Sequence, residues 1–134
     1  MGIGQTLVQL RLEKQAYQKE LAAYLHVSVG TISNYEQDLH APDLDNLSLI
    51  ADFYGVSTDY ILGRTKYRYP LDELNEAVTE QYTFTDMINT SVELSKDSKK
   101  QLMDYVAYLA YKDSVHMQIP EQNSDKQNKS QKEQ

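Results

Sequence analysis

The chain has 134 residues, which suits one compact domain plus appendages, and it carries a formal charge of −7 with 40% hydrophobic residues. It has no Cys, which excludes disulfides and a thiolate metal site, and its three His, at 26, 40 and 116, share no ligand spacing. No apolar run is long enough to cross a bilayer and no signal-peptide pattern opens the chain, so the expectation is a cytoplasmic protein that needs no cofactor.

Residues 3 to 14 read as a first helix, with Ile3, Leu7 and Leu10 on one face, Leu12 as a spare apolar contact and Arg11 at the edge of the buried stripe. Gln15-Ala16-Tyr17 is a short connection. Gln18 to Leu25 is a second helix, with Leu21, Ala22 and Leu25 on one face, and His26-Val27-Ser28 breaks it. The third helix runs from Val29 to about Gln37, with Ile32, Tyr35 and Glu36 on one side. Ser28 is a good N-cap for it, because a hydroxyl accepts a bond from an unpaired first-turn N–H. Helices this short are not stable alone, since nucleation is costly below about 12–15 residues. They must pack on each other, and two helices joined by a tight turn make a helix-turn-helix.

Pro42 forces extended geometry on the residue before it. Asp43 is a plausible N-cap for a fourth helix, Leu44 to Tyr54, with Leu44, Leu47, Ile50, Ala51 and Tyr54 inward and Gly55 as its terminator. Ser57 caps a short fifth helix, Thr58 to Leu62, ended by Gly63. The expected fold class is all-α: a five-helix unit followed by a helical C-terminal region with a long last helix.

The span from about Ile3 to Thr65 resembles the Xre-type helix-turn-helix family, the group that includes the lambdoid phage repressors and Cro proteins. The matching pieces are Gln18-x-x-Leu21-Ala22, Val27-Ser28, Ile32-Ser33-x-Tyr35-Glu36, Pro42, Leu47-x-x-Ile50-Ala51 and Gly55-Val56-Ser57-x-Asp59-Tyr60-Ile61-Leu62-Gly63. They cover almost half the chain and are specific in this order. The resemblance implies a transcriptional regulator, a repressor that binds a double-stranded operator as a homodimer with the 29–37 helix in the major groove. The sequence departs from the family at Tyr17, where Ser or Thr usually caps the second helix, at Asp38, where Gly usually follows the recognition helix, and at Gly30, which costs about 1 kcal/mol inside a helix.

The outward residues of the third helix are small, uncharged and mostly able to hydrogen-bond. The resemblance places Ser28, Val29, Gly30, Thr31, Ser33 and Asn34 against bases and adjoining phosphates. Asn34 suits bidentate pairing with adenine, Val and Thr methyls suit the thymine methyl, and Gly30 lets backbone approach closely. The resemblance also implies that Gln18 and its neighbouring N–H groups hold a phosphate. Gln37 and His40 are expected to reach the backbone beyond the helix end. It further sets Arg11 opposite Glu36 as an ion pair; a half-buried carboxylate wants such a partner. Residues 1–66 hold five Lys/Arg against eight Asp/Glu, a net of −3, so sequence-independent attraction to phosphate is expected to be weak.

Gly63 to Pro70 carries Arg64, Lys66 and Arg68 and reads as a linker in preference to a phosphate contact. Leu71 to Tyr82 and Phe84 to Leu94 read as helices. Ser95-Lys96-Asp97-Ser98 starts a last helix, to about Val115, whose Leu102, Tyr105, Val106 and Leu109 form an apolar stripe that needs a partner, either this chain's own helices or a second copy. The expected organisation is a helix-turn-helix domain over 1–65, a linker with short helices over 66–94, an oligomerisation helix over 95–117 and a disordered polar tail over 118–134. No catalytic motif spacing is present, and the C-terminal half is too short for the peptidase domain of self-cleaving repressors. The alternative is a protein-interaction module of antitoxin or anti-repressor type, which the acidic balance favours slightly.

Overall fold

The computed structural model describes residues 2–117; the tail expected to be disordered, 118–134, lies outside the described residues. Five helices build the first unit: α1 (Gly4–Glu13), α2 (Gln18–Leu25), α3 (Val29–Glu36), α4 (Leu44–Tyr54) and α5 (Thr58–Ile61). Two more follow, α6 (Phe84–Val92) and α7 (Lys96–His116). Among the described residues there is no β-strand beyond one isolated bridge, and no helix is long and apolar enough to cross a membrane.

The local signals explain the helix ends. Ser28, Asp43 and Ser57 each accept a bond from the backbone N–H three residues on, of Thr31, Asn46 and Tyr60. Gly55 and Gly63 close α4 and α5 at φ 65° and 72°, a region that carries little penalty without a Cβ. α2 opens without a side-chain cap from Tyr17; instead Glu20 reaches back and accepts from the Tyr17 N–H at 3.4 Å.

α2 packs on α3 and α4, α1 on α3, and α4 on α5. Leu7, Leu10, Leu21, Ala22, Leu25, Ile32, Tyr35, Ile50, Ala51, Val56 and Ile61 form one continuous core. Burying each large member removes apolar surface worth about 1.5–3 kcal/mol from water, which is what makes helices of eight residues viable.

Three expectations are corrected. Leu44 is 84% exposed, because the first turn of α4 extends past the edge of the core, which begins at Leu47 and Ile50. Leu12 is exposed as well and lies outside the core. The helix expected over Leu71 to Tyr82 is a 3-10 helix, Leu71–Asn75, followed by a reversal that closes an antiparallel bridge between Ala77 and Thr83. The Thr79 hydroxyl accepts from the Gln81 and Tyr82 N–H groups, and the Thr85 hydroxyl donates to the Leu74 carbonyl. Such local side-chain bonds compete with helical ones.

The basic stretch after α5 is strapped back onto the domain. The Ser57 N–H donates to the Arg68 carbonyl at 2.8 Å, and the Arg68 guanidinium bonds Glu13 of α1 at 2.7 Å and lies 5.5 Å from the Tyr60 ring centroid. The first compact unit runs from Met1 to Thr85, and the second starts at Asp86. In the second, Ser95 caps α7 at the Ser98 N–H. Leu102 and Leu109 are half-buried on α7, while Tyr105 and Val106 are exposed.

Candidate nucleic-acid interface

α3 is seated by its apolar side. Ile32 and Tyr35 are buried, which turns Val29 (47% exposed) and Gly30 outward. Asn34, Ser33 and Thr31 are half-buried at the flanks. The polar side chains on this surface are not equivalent. The Ser28 hydroxyl caps the helix and shares a bond with the Thr31 hydroxyl at 2.9 Å. The Gln37 amide donates to the Ser33 hydroxyl at 2.7 Å. The Asn34 side chain makes no hydrogen bond among the described residues, while its carbonyl accepts from Leu39 and His40 N–H as the helix ends. Asn34 thus offers the full donor and acceptor set of a primary amide.

Beneath that surface lies a cluster joining three helices. Arg11 Nε donates to Glu36 Oε1 at 2.7 Å and Nη2 to Oε2 at 3.1 Å, a two-point contact between α1 and α3. Gln18 Nε2, at the start of α2, donates to the same Oε2 at 2.7 Å. The side chains are 18% exposed for Arg11 and 5% for Glu36. The bonds to Glu36 push the Arg11 guanidinium above its already high range, against the opposing effect of burial. The Tyr54 hydroxyl is buried nearby without a hydrogen-bond partner, and burial, with the Glu36 charge behind it, pushes it up to about 12. Neither Gln18 nor Tyr54 was legible as part of this cluster: both lie 18 residues from Glu36, with no local spacing to betray the contact.

The C-terminal end of α3 explains one departure from the family pattern. Asp38 adopts φ 56°, and its Oδ1 accepts from the Gly4 N–H at 2.8 Å, placing a carboxylate at the N-terminus of α1 where the helix dipole favours it. α1 approaches α3 so closely there that a Cβ on Gly4 would overlap the Glu36 carbonyl.

The other groups expected at the interface are dispersed. His40 is exposed in the loop beyond α3. Lys19, beside Gln18, sits 5.5 Å from the Tyr17 ring centroid. Two of the three basic residues after α5 face carboxylates, Arg68 on Glu13 and Arg64 at 3.6 Å from Asp59. The bond from Arg68 lowers the Glu13 carboxyl below its usual range and raises Arg68 in turn. Among the described residues no group of three or more His, Asp or Glu could hold a metal ion.

Two short helices around a tight turn, braced by a third and a fourth, define a helix-turn-helix domain, and the helix-turn-helix family model HTH_3 matches residues 7–61. The chain is 31% identical over 104 residues to YonR, an SPbeta prophage-derived HTH-type transcriptional regulator of Bacillus subtilis (strain 168), covering 77% of this chain and 91% of YonR. It is 37% identical over 82 residues to the HTH-type transcriptional regulator ImmR of the same strain, covering 60% of this chain; the match spans 65% of the length of ImmR. A transcriptional regulator from Listeria innocua of known structure is a loose likeness, with 17% identity, a TM-score of 0.46, and coverage of 80% of this chain and 91% of that one. The chain belongs to the Xre-type, lambda repressor-like family of HTH-type transcriptional regulators. Its first unit is the helix-turn-helix DNA-binding domain of such regulators.

Proposed function

We propose that the chain is a repressor that binds its operator as a homodimer, with α3 in the major groove. The observation that carries this reading is the Asn34 amide, unengaged among the described residues on a helix whose Thr31, Ser33 and Glu36 side chains are all engaged, and which also exposes Val29. Asn34 reads adenine, the Val29 and Thr31 methyls meet thymine, and Ser28, Gly30 and Ser33 bring backbone and hydroxyls against the groove wall. Gln18, Gln37 and His40 hold phosphates, with the N–H groups that open α2 beside Gln18. The surface offers no Arg or Lys for guanine, so the operator is rich in A·T pairs. Leu102, Tyr105, Val106 and Leu109 of α7 join two copies, which present their recognition helices to half-sites about 34 Å apart.

Affinity selection of random duplexes, followed by gel shifts, tests this. The expected result is a two-fold symmetric, A·T-rich site, with Asn34→Ala weakening binding about 5- to 150-fold, the cost of one lost bidentate contact of about 1–3 kcal/mol. A selected site dominated by contacted G·C pairs refutes the assignment. The alternative, a protein-interaction module of antitoxin or anti-repressor type, draws support from the acidic domain and from Arg64 and Arg68 facing Asp59 and Glu13. It predicts saturable binding to a protein and no retained duplex.

A further inference from the structure

We infer that Glu36, whose side chain is too buried to meet a ligand, is a positioning residue for the phosphate anchor at the start of α2. This rests on the operator-binding reading above and names how one of its contacts is prepared. Gln18 is the first residue of α2, where N–H groups lack intrahelical partners and an anion is favoured. Its side chain is long and would lose rotamer freedom on meeting a phosphate. Here it is already held, because Nε2 donates to Glu36 Oε2 at 2.7 Å, a short bond to a charged acceptor. A primary amide nitrogen has two N–H groups, so one remains for a phosphate while the other fixes the side chain. Glu36 holds Gln18 without a buried net charge because Arg11 neutralises it through two bonds. The same carboxylate therefore sets the start of α2 in register with the end of α3. Ordering Gln18 before binding makes the anchor stronger than a free glutamine would.

The test separates holding the fold from holding Gln18. In the full chain, Arg11→Met with Glu36→Leu replaces the ion pair by apolar side chains of similar size, a change that preserves stability in comparable buried pairs. Binding to the selected operator and to a random duplex is measured for this variant, for Gln18→Ala, and for the two combined, at a temperature where thermal melts show all to be folded. The expected result is a loss of roughly tenfold for the apolar pair, equal on both duplexes because phosphate contacts carry no sequence. Gln18→Ala should lose the same factor, and the combination no more. Should the apolar pair not fold, Arg11→Met with Glu36→Met, whose flexible side chain fills irregular space and accepts only weakly, carries the same comparison. Full affinity in the apolar pair, no loss in Gln18→Ala, or a further tenfold loss in the combination overturns the role of Glu36. Wild-type chain and Asn34→Ala are read first. Wild type that retains no duplex sinks the operator reading and this role together, whereas wild-type binding without the coupling sinks this role alone.

Discussion

Removing Arg11 should destabilise the domain far more than losing an ordinary surface charge. Arg11→Met keeps most of the side-chain stem but leaves Glu36, 5% exposed, with only the Gln18 amide as partner. Breaking a buried ion pair by deleting one member costs about 3–5 kcal/mol, because the remaining charge is left uncompensated. Arg11 is 18% exposed and Gln18 stays, so the lower end applies, about 3 kcal/mol. In a domain of this size that corresponds to a fall in Tm of roughly 12–24 °C. Urea unfolding followed by far-ultraviolet circular dichroism should show a lower midpoint with an unchanged slope. Adding Glu36→Leu should restore most of the loss. A loss under about 1 kcal/mol for Arg11→Met alone, within the range of exposed ion pairs, would show that the pair does not brace α1 against α3.

Four further substitutions probe three separate joints. Gly30 is exposed in α3 and a Cβ there meets only the Ser28 hydroxyl at 3.7 Å, so Gly30→Ala should stabilise the domain by about 0.5–1 kcal/mol; if backbone must approach DNA at that point, operator affinity falls at the same time, and a stability gain with unchanged affinity removes Gly30 from the interface. Gly4→Ala drives a Cβ into backbone, the Glu36 carbonyl, and should cost about 1–3 kcal/mol, whereas Gly2→Ala meets the Asp38 side chain, which can turn aside at the expense of its bond to Gly4, about 1 kcal/mol; melts that rank the two in the opposite order contradict this junction. Tyr54→Phe deletes a buried hydroxyl without a partner and should leave stability unchanged or raise it by about 1 kcal/mol. Because folding raises Tyr54 from 10.0 to about 12, its titration leaves stability unchanged below pH 10 and lowers it as pH climbs from there to about 12, a loss that Tyr54→Phe should remove. An absorbance titration of the folded chain should lose its last-ionising tyrosine in Tyr54→Phe, and an unchanged titration would place Tyr54 in a wetter site.

The helices were legible because their determinants lie within a turn of one another. Ser28, Asp43, Ser57 and Ser95 each accept the N–H three residues on, and Leu7, Leu10, Leu21, Leu25, Ile32 and Ile50 repeat at helical spacing. The same local chemistry misled over Leu71 to Tyr82, where apolar spacing suggested a helix but Thr79 and Thr85 turned the chain instead. What the sequence alone determined is which residues form helices and which of their faces is apolar. Only the tertiary structure decided that Gln18 joins Arg11 on Glu36, that Asp38 caps α1 from 34 residues away, that Arg68 returns to Glu13 across 55, and that Leu44 overhangs the core. Those pairings depend on where helices cross, and a crossing is set by the fit of whole packed faces, which no periodicity within a single helix records.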